Sequence, residues 1–185
     1  MRLFTALFRP RAAAAGAALL HPAFALALAV LVLNDHWLKA TWPGVLSGKL
    51  SDFAVVPLLA LFLHGLVELT YARLRRPLGI APGNHWLALC IAVASLVFAL
   101  PEVWHPAELA YRYGLGALRY PFRAAWALAQ AHPAPPLSPV RATADLTDLL
   151  ALPMALVAWR VGRRVEARGG ASARRQASGV SHSSW

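Results

Sequence analysis

The sequence predicts an all-α integral membrane protein, a helical bundle with about four transmembrane helices plus one interfacial or partly embedded helix. Three observations predict it. Of 185 residues, 58% are hydrophobic and 14% charged, with a mean hydropathy of +0.51; soluble domains run about 45–50% apolar and about 25% charged. The apolar residues gather into runs near the roughly 20 residues that cross a hydrocarbon core of about 30 Å. No run keeps the period-two alternation of a strand. The formal charge of +10 is distributed unevenly between those runs.

A basic arm, residues 1–11, carries Arg2, Arg9 and Arg11. The first span, 12–33, has no charge. It is longer than the 7–15 apolar residues of a signal-peptide core and continues past the small residues Ala25 and Ala27, so a retained helix is expected. The second span, 53–69, is charged only at Glu68, and the third, 85–100, is uncharged and closes at Pro101. The fourth, 146–161, is the weakest, with Asp148 near one end and Arg160 near the other. Backbone groups in lipid must be satisfied within their own segment, which makes each span a helix. Together, 12–161 form one transmembrane domain. The lone Cys90 excludes an internal disulfide and a paired-cysteine metal motif.

Lys and Arg accumulate on the cytoplasmic side of membrane proteins. The arm, the link with Arg73, Arg75 and Arg76, and the tail with Arg160, Arg163, Arg164, Arg168, Arg174 and Arg175 hold twelve of the 18 basic residues. Only Glu68 and Glu166 oppose them, so this side carries the whole net charge. On the other side, Lys39, Lys49, Arg112, Arg119, Arg123 and Arg141 balance six acids. Four spans with both termini in the cytoplasm satisfy this division. Trp37, Trp42 and Trp104 fall at the outer boundary and Trp86 and Trp159 at the inner one, as interfacial belts require.

The outer segment, 101–145, contains a helical stretch from Ala107 to Ala131 that Pro121 should kink or break. Arg112, Arg119 and Arg123 fall on one face of it and Glu108 pairs with Arg112, so an interfacial helix is expected. A fifth span here would put the tail arginines outside, against the charge bias. The proline-rich stretch 132–139 is an extended spacer. The tail, 162–185, is small and polar from Gly169 on, so disorder is expected, with its arginines against anionic headgroups rather than nucleic acid.

Three polar segments fall at the outer face of this topology: Asn34-Asp35-His36-Trp37-Leu38-Lys39, Gly48-Lys49-Leu50-Ser51-Asp52-Phe53, and Thr143 to Leu149 with Asp145, Thr147 and Asp148. Each has a structural reading. Ser51 can cap the second span with Asp52 in its first turn, Asp145 or Thr143 can cap the fourth, and Asp35 can pair with Lys39. Their convergence also permits chemistry. Asp35, His36, Asp52, Asp145 and Asp148 are candidate catalytic groups, with Asn34, Lys39, Lys49, Ser51 and Thr147 around them. His36, Asp52, Asp148 and His105 offer the oxygen and imidazole ligands that suit a divalent metal. Their spacing matches no compact motif such as H-E-x-x-H. His21, before Pro22, and His64, inside the second span, are expected to satisfy helix contacts.

The stretches Asn34–Lys39, Pro43–Phe53 and Asp145–Pro153 resemble a group of uncharacterised bacterial multi-pass membrane proteins, whose pattern is close to N-D-H-x-L-K, then P-G-x-[LT]-[ST]-G-K-L-S-D-F, then D-x-T-D-L-x-A-L-P. The resemblance implies integral-membrane placement and no particular chemistry. The E-E-x-x-x-R, G-x-S-x-G and D-G-x-x-A-R signatures of other membrane enzymes are missing. A structural or binding module is the first expectation. The alternatives are a membrane-embedded metal-dependent hydrolase or transferase acting on a lipid-linked or phosphate-bearing substrate, and an ion- or proton-coupled transport component.

Overall fold

The computed structural model describes residues 15–42, 44–74 and 84–180. The basic arm 1–11, Pro43, Arg75, Arg76 and the end 181–185 lie outside the described residues. Among the described residues every regular element is helical. A 3-10 turn, Ala17–Leu20, leads into α1, Pro22–Thr41, which contains a π-helical turn over Asn34–Leu38. Then come α2, Val45–Leu74, α3, Asn84–Val103, and α4, His105–Ala129. A 3-10 stretch, Leu146–Met154, precedes α5, Ala155–Val180.

Among the described residues, three helices are long and apolar enough to cross a membrane: Pro22–Thr41, Val45–Leu74 and His85–Val103. Their surfaces expose Leu26, Leu33, Phe62, Leu66, Leu89 and Leu96. Apolar patches of this extent are rare on soluble proteins, whereas lipid tails solvate them as well as a protein interior does.

The element limits differ from the sequence expectation for local reasons. Over the described residues the first span is not one continuous helix, because a 3-10 turn at Ala17–Leu20 precedes α1. Pro22 occupies the first helical position, where its missing N–H costs nothing, and His21 Nδ1 accepts from the Ala23 N–H as the cap. His21 thus satisfies a helix contact, as expected, and does so as the cap. Helix α2 starts at Val45, eight residues before Phe53, so Ser51 is an interior residue and not the cap. Ser47 does that work, accepting from the Gly44 N–H and donating to the Gly44 carbonyl. Pro101 does not close α3, and Pro121 does not break α4. The stretch expected as a fourth span is a 3-10 helix over Leu146–Met154 before it becomes the α-helix α5. The tail expected to be disordered continues α5 to Val180, because alanine, arginine and glutamine in 171–177 favour helix more than the flanking glycines oppose it.

The chain forms two compact units, Met1–Ser95 with Ala151–Trp185, and Leu96–Leu150. In the first, Ala18, Ala60, Leu61, Ala94, Ala158 and Val161 make the core. Small residues bring the helices close. A side chain at Gly65 would meet Leu19, and one at Gly162 would meet Leu87. In the second, the proline-rich segment is extended as expected and lies along α4. Val140 N–H donates to the Arg112 carbonyl at 3.0 Å, Arg112 Nε donates to the Val140 carbonyl at 3.2 Å, and Arg123 Nη1 donates to Ser138 Oγ at 3.0 Å. Gly116 permits this approach, since a Cβ there would strike the Ser138 carbonyl and stand 3.2 Å from Pro139 Cα. Helix α4 ends in a Schellman motif: His132 N–H reaches the Ala127 carbonyl and Ala131 N–H the Leu128 carbonyl. The left-handed position that glycine normally fills is held by Ala131, at φ 57°.

Candidate functional site

Two of the three polar segments meet, where α1 passes the start of α2. Asn34, 1% exposed, donates from Nδ2 to the Ser47 carbonyl and to Ser51 Oγ, both at 2.6 Å. Ser51 Oγ donates to Asp35 Oδ1 at 2.8 Å, and Lys39 Nζ stands 2.7 Å from the same oxygen. The result is a chain of direct contacts, Lys39 to Asp35 to Ser51 to Asn34 to Ser47, that crosses from one helix to the other. Asn34 Oδ1 is buried and accepts no hydrogen bond in it. The π-helical turn lies over this segment, and one extra residue per turn is a device that recurs where a helix re-aims side chains. Lys49 and Asp52 are half-buried in α2 and both are engaged. His36 is exposed, and its Nδ1 donates to the Val32 carbonyl one turn back at 3.1 Å.

The third segment belongs to the other unit and is tied within it. Asp145 N–H donates to Glu102 Oε2 at 2.7 Å. Asp145 Oδ1 accepts from the Thr147 N–H and hydroxyl, and its carbonyl accepts from the Asp148 N–H. Asp145 therefore caps the 3-10 stretch, as its structural reading expects. His105 Nδ1 stands 3.0 Å from Glu108 Oε2, and Arg112 Nη1 donates to Glu108 Oε1 at 3.3 Å. The hydrogen bond from His105, and after it the one from Arg112, hold the Glu108 carboxyl below the usual range. The metal candidates are thus divided between the units, His36 and Asp52 in one, His105 and Asp148 in the other. Among the described residues, no three His, Cys, Asp or Glu side chains are grouped to hold a metal ion.

A second polar cluster lies toward the other end of α2 and was not expected. His64 is 1% exposed. Its Nδ1 is 3.9 Å from Glu68 Oε1 and its Nε2 is 3.8 Å from Glu166 Oε1 on α5. Glu68 Oε2 accepts from the Gly16 N–H at 2.9 Å, which ties the turn before α1 to α2. Burial, reinforced by the charge of Glu68, pushes the Glu166 carboxyl above the usual range, against the opposing pull of His64 and Arg163. A sequence signal for half of this cluster exists: His64 and Glu68 are one turn apart inside an apolar run, where ionisable residues are rare. Glu166, about a hundred residues away, gives none. No family model, curated protein or solved structure matches this chain.

Proposed function

We propose that the chain is a four-crossing protein of the bacterial inner membrane, with both termini in the cytoplasm, that acts as a structural or binding module fastened at its outer end by the Asn34 network. The observation that carries this reading is the run of direct contacts from Lys39 to Ser47: a carboxylate that accepts from both a lysine and a serine is engaged in holding two helices together. The resemblance to bacterial multi-pass proteins supports the placement.

The fourth crossing is the stretch 146–161. A 3-10 helix rises about 2.0 Å per residue against about 1.5 Å for an α-helix. Nine 3-10 residues followed by Ala155–Val161 therefore extend about 28 Å, close to the hydrocarbon thickness. Beyond it, the guanidinium of Arg163 lies 5.5 Å from the centroid of the Trp159 ring, an aromatic–cation pair suited to the headgroup layer. Helix α4 lies in the opposite interface, where its exposed Leu118, Phe122 and Trp126 line one face for lipid.

The test compares Asn34→Ala and Asp35→Asn with the wild-type protein in detergent. A structural network predicts a lower unfolding temperature for both. Folded variants of unchanged stability that have lost metal binding or turnover would favour the membrane-embedded hydrolase or transferase. Altered ion flux in proteoliposomes, with stability kept, would favour transport.

A further inference from the structure

The His64 cluster has the wrong number of hydrogens for a static contact. Each ring nitrogen faces a carboxylate oxygen, one from its own helix and one from α5. Lone pairs that face each other repel, and in a buried site water does not screen them. Neither separation is a hydrogen-bond distance, so each face is attractive only when a proton on the nitrogen or the oxygen puts opposite charge or a donor across it. An imidazolium between two carboxylates supplies both protons. So does a neutral imidazole that donates to one carboxylate and accepts from a protonated second one. Both arrangements hold two protons and a net charge of −1. Removing one proton leaves a charge of −2 and one face where acceptor meets acceptor.

We propose that His64, Glu68 and Glu166 form an internal two-proton site that fastens α5 to α2, and that loss of one proton releases this contact. The face that gives way is the one to Glu166. Glu68 shares a helix with His64 and is held by the Gly16 N–H, whereas Glu166 is carried by a separate helix. Arg163 on α5, which favours the ionised Glu166, and Cys90 on α3, which feels the charge of Glu68, also act on the cluster. The turn before α1 contributes a backbone N–H and no charge. The released helix carries Arg160, Arg163, Arg164 and Arg168, so the proton count of a buried site sets the position of a basic surface. This inference stands independently of the role given to the outer network.

The experiment uses the full chain in lipid nanodiscs. Spin labels at Leu74→Cys and Ala167→Cys, both exposed positions, in a Cys90→Ser background report the α2–α5 separation between about pH 5 and pH 9. The expected result is one distance at low pH and a longer or broader distribution at high pH, with the change abolished in Glu166→Gln. A distance that is the same at both ends of the pH range overturns the proposal, and so does a pH-dependent change that Glu166→Gln leaves in place. Should Glu166→Gln fail to fold, the wild-type distance series alone decides.

Discussion

Asn34 and His64 are each 1% exposed and each lies where α2 meets another helix, yet their surroundings satisfy them differently. Asn34 reaches its partners at 2.6 Å, and the chain beyond it ends on a lysine–carboxylate contact at 2.7 Å. His64 has no partner closer than 3.8 Å, and both neighbours are carboxylates. Ser51 and His64 are thirteen residues apart on α2, about 20 Å along its axis. One helix thus carries a network of direct hydrogen bonds that ends on a lysine–carboxylate pair at one end and a site that depends on protons at the other. A closed network holds its geometry at any pH where its lysine and carboxylate stay charged. A cluster of one base between two acids holds its geometry only while the protons are there.

Breaking the closed end is expected to have the largest effect. Asn34→Ala removes two buried hydrogen bonds and should lower stability by about 2–3 kcal/mol, read as a drop in unfolding temperature that is the same at every pH where Lys39 and Asp35 stay charged. In the separate unit, Gly116→Ala pushes a methyl group into the Ser138 carbonyl and should cost about 1–3 kcal/mol. Gly114→Ala, with nothing within 4 Å, should instead gain up to about 1 kcal/mol through helix propensity. Neither change should alter the pH response, so the pair serves as a control for the comparison. Ala131→Gly relieves a left-handed alanine and should stabilise by about 0.5–1 kcal/mol. The smallest effect at acid pH, and the most informative, is that of Glu166→Gln. The Glu166 carboxyl is raised above its ordinary value of 4.5, so its favourable contribution is complete below that value and is lost as pH rises through the raised one. Wild-type stability should therefore decline as pH rises above about 4.5, and Glu166→Gln should flatten the decline. Thermal unfolding followed across the pH range checks each of these.

The helical class and the three apolar spans were legible because alanine- and leucine-rich runs of that length have one stable form in lipid. Helix ends were less legible. Pro22 marks a helix start, but the apolar run that precedes it masks the signal, and Ser47 rather than Ser51 closes the first turn of α2. The Asp35–Lys39 pair was readable from its spacing, since four residues fix neighbours on a helix. The contact of Asn34 with Ser47 and Ser51 was not, because it depends on how two helices pack. For the same reason the link from His64 to Glu166 left no trace in the order of residues. The arginine face of α4 was seen, but its use in holding the proline-rich segment requires the close approach at Gly116.

Both ends of the comparison depend on how the chain is threaded. The proposed topology places the Asn34 network outside and the His64 cluster near the cytoplasm. Paired reporter fusions at the two termini, one active only in the cytoplasm and one only outside it, test this directly. Four crossings predict cytoplasmic activity at both ends. Activity in opposite compartments would mean an odd number of crossings and would contradict it.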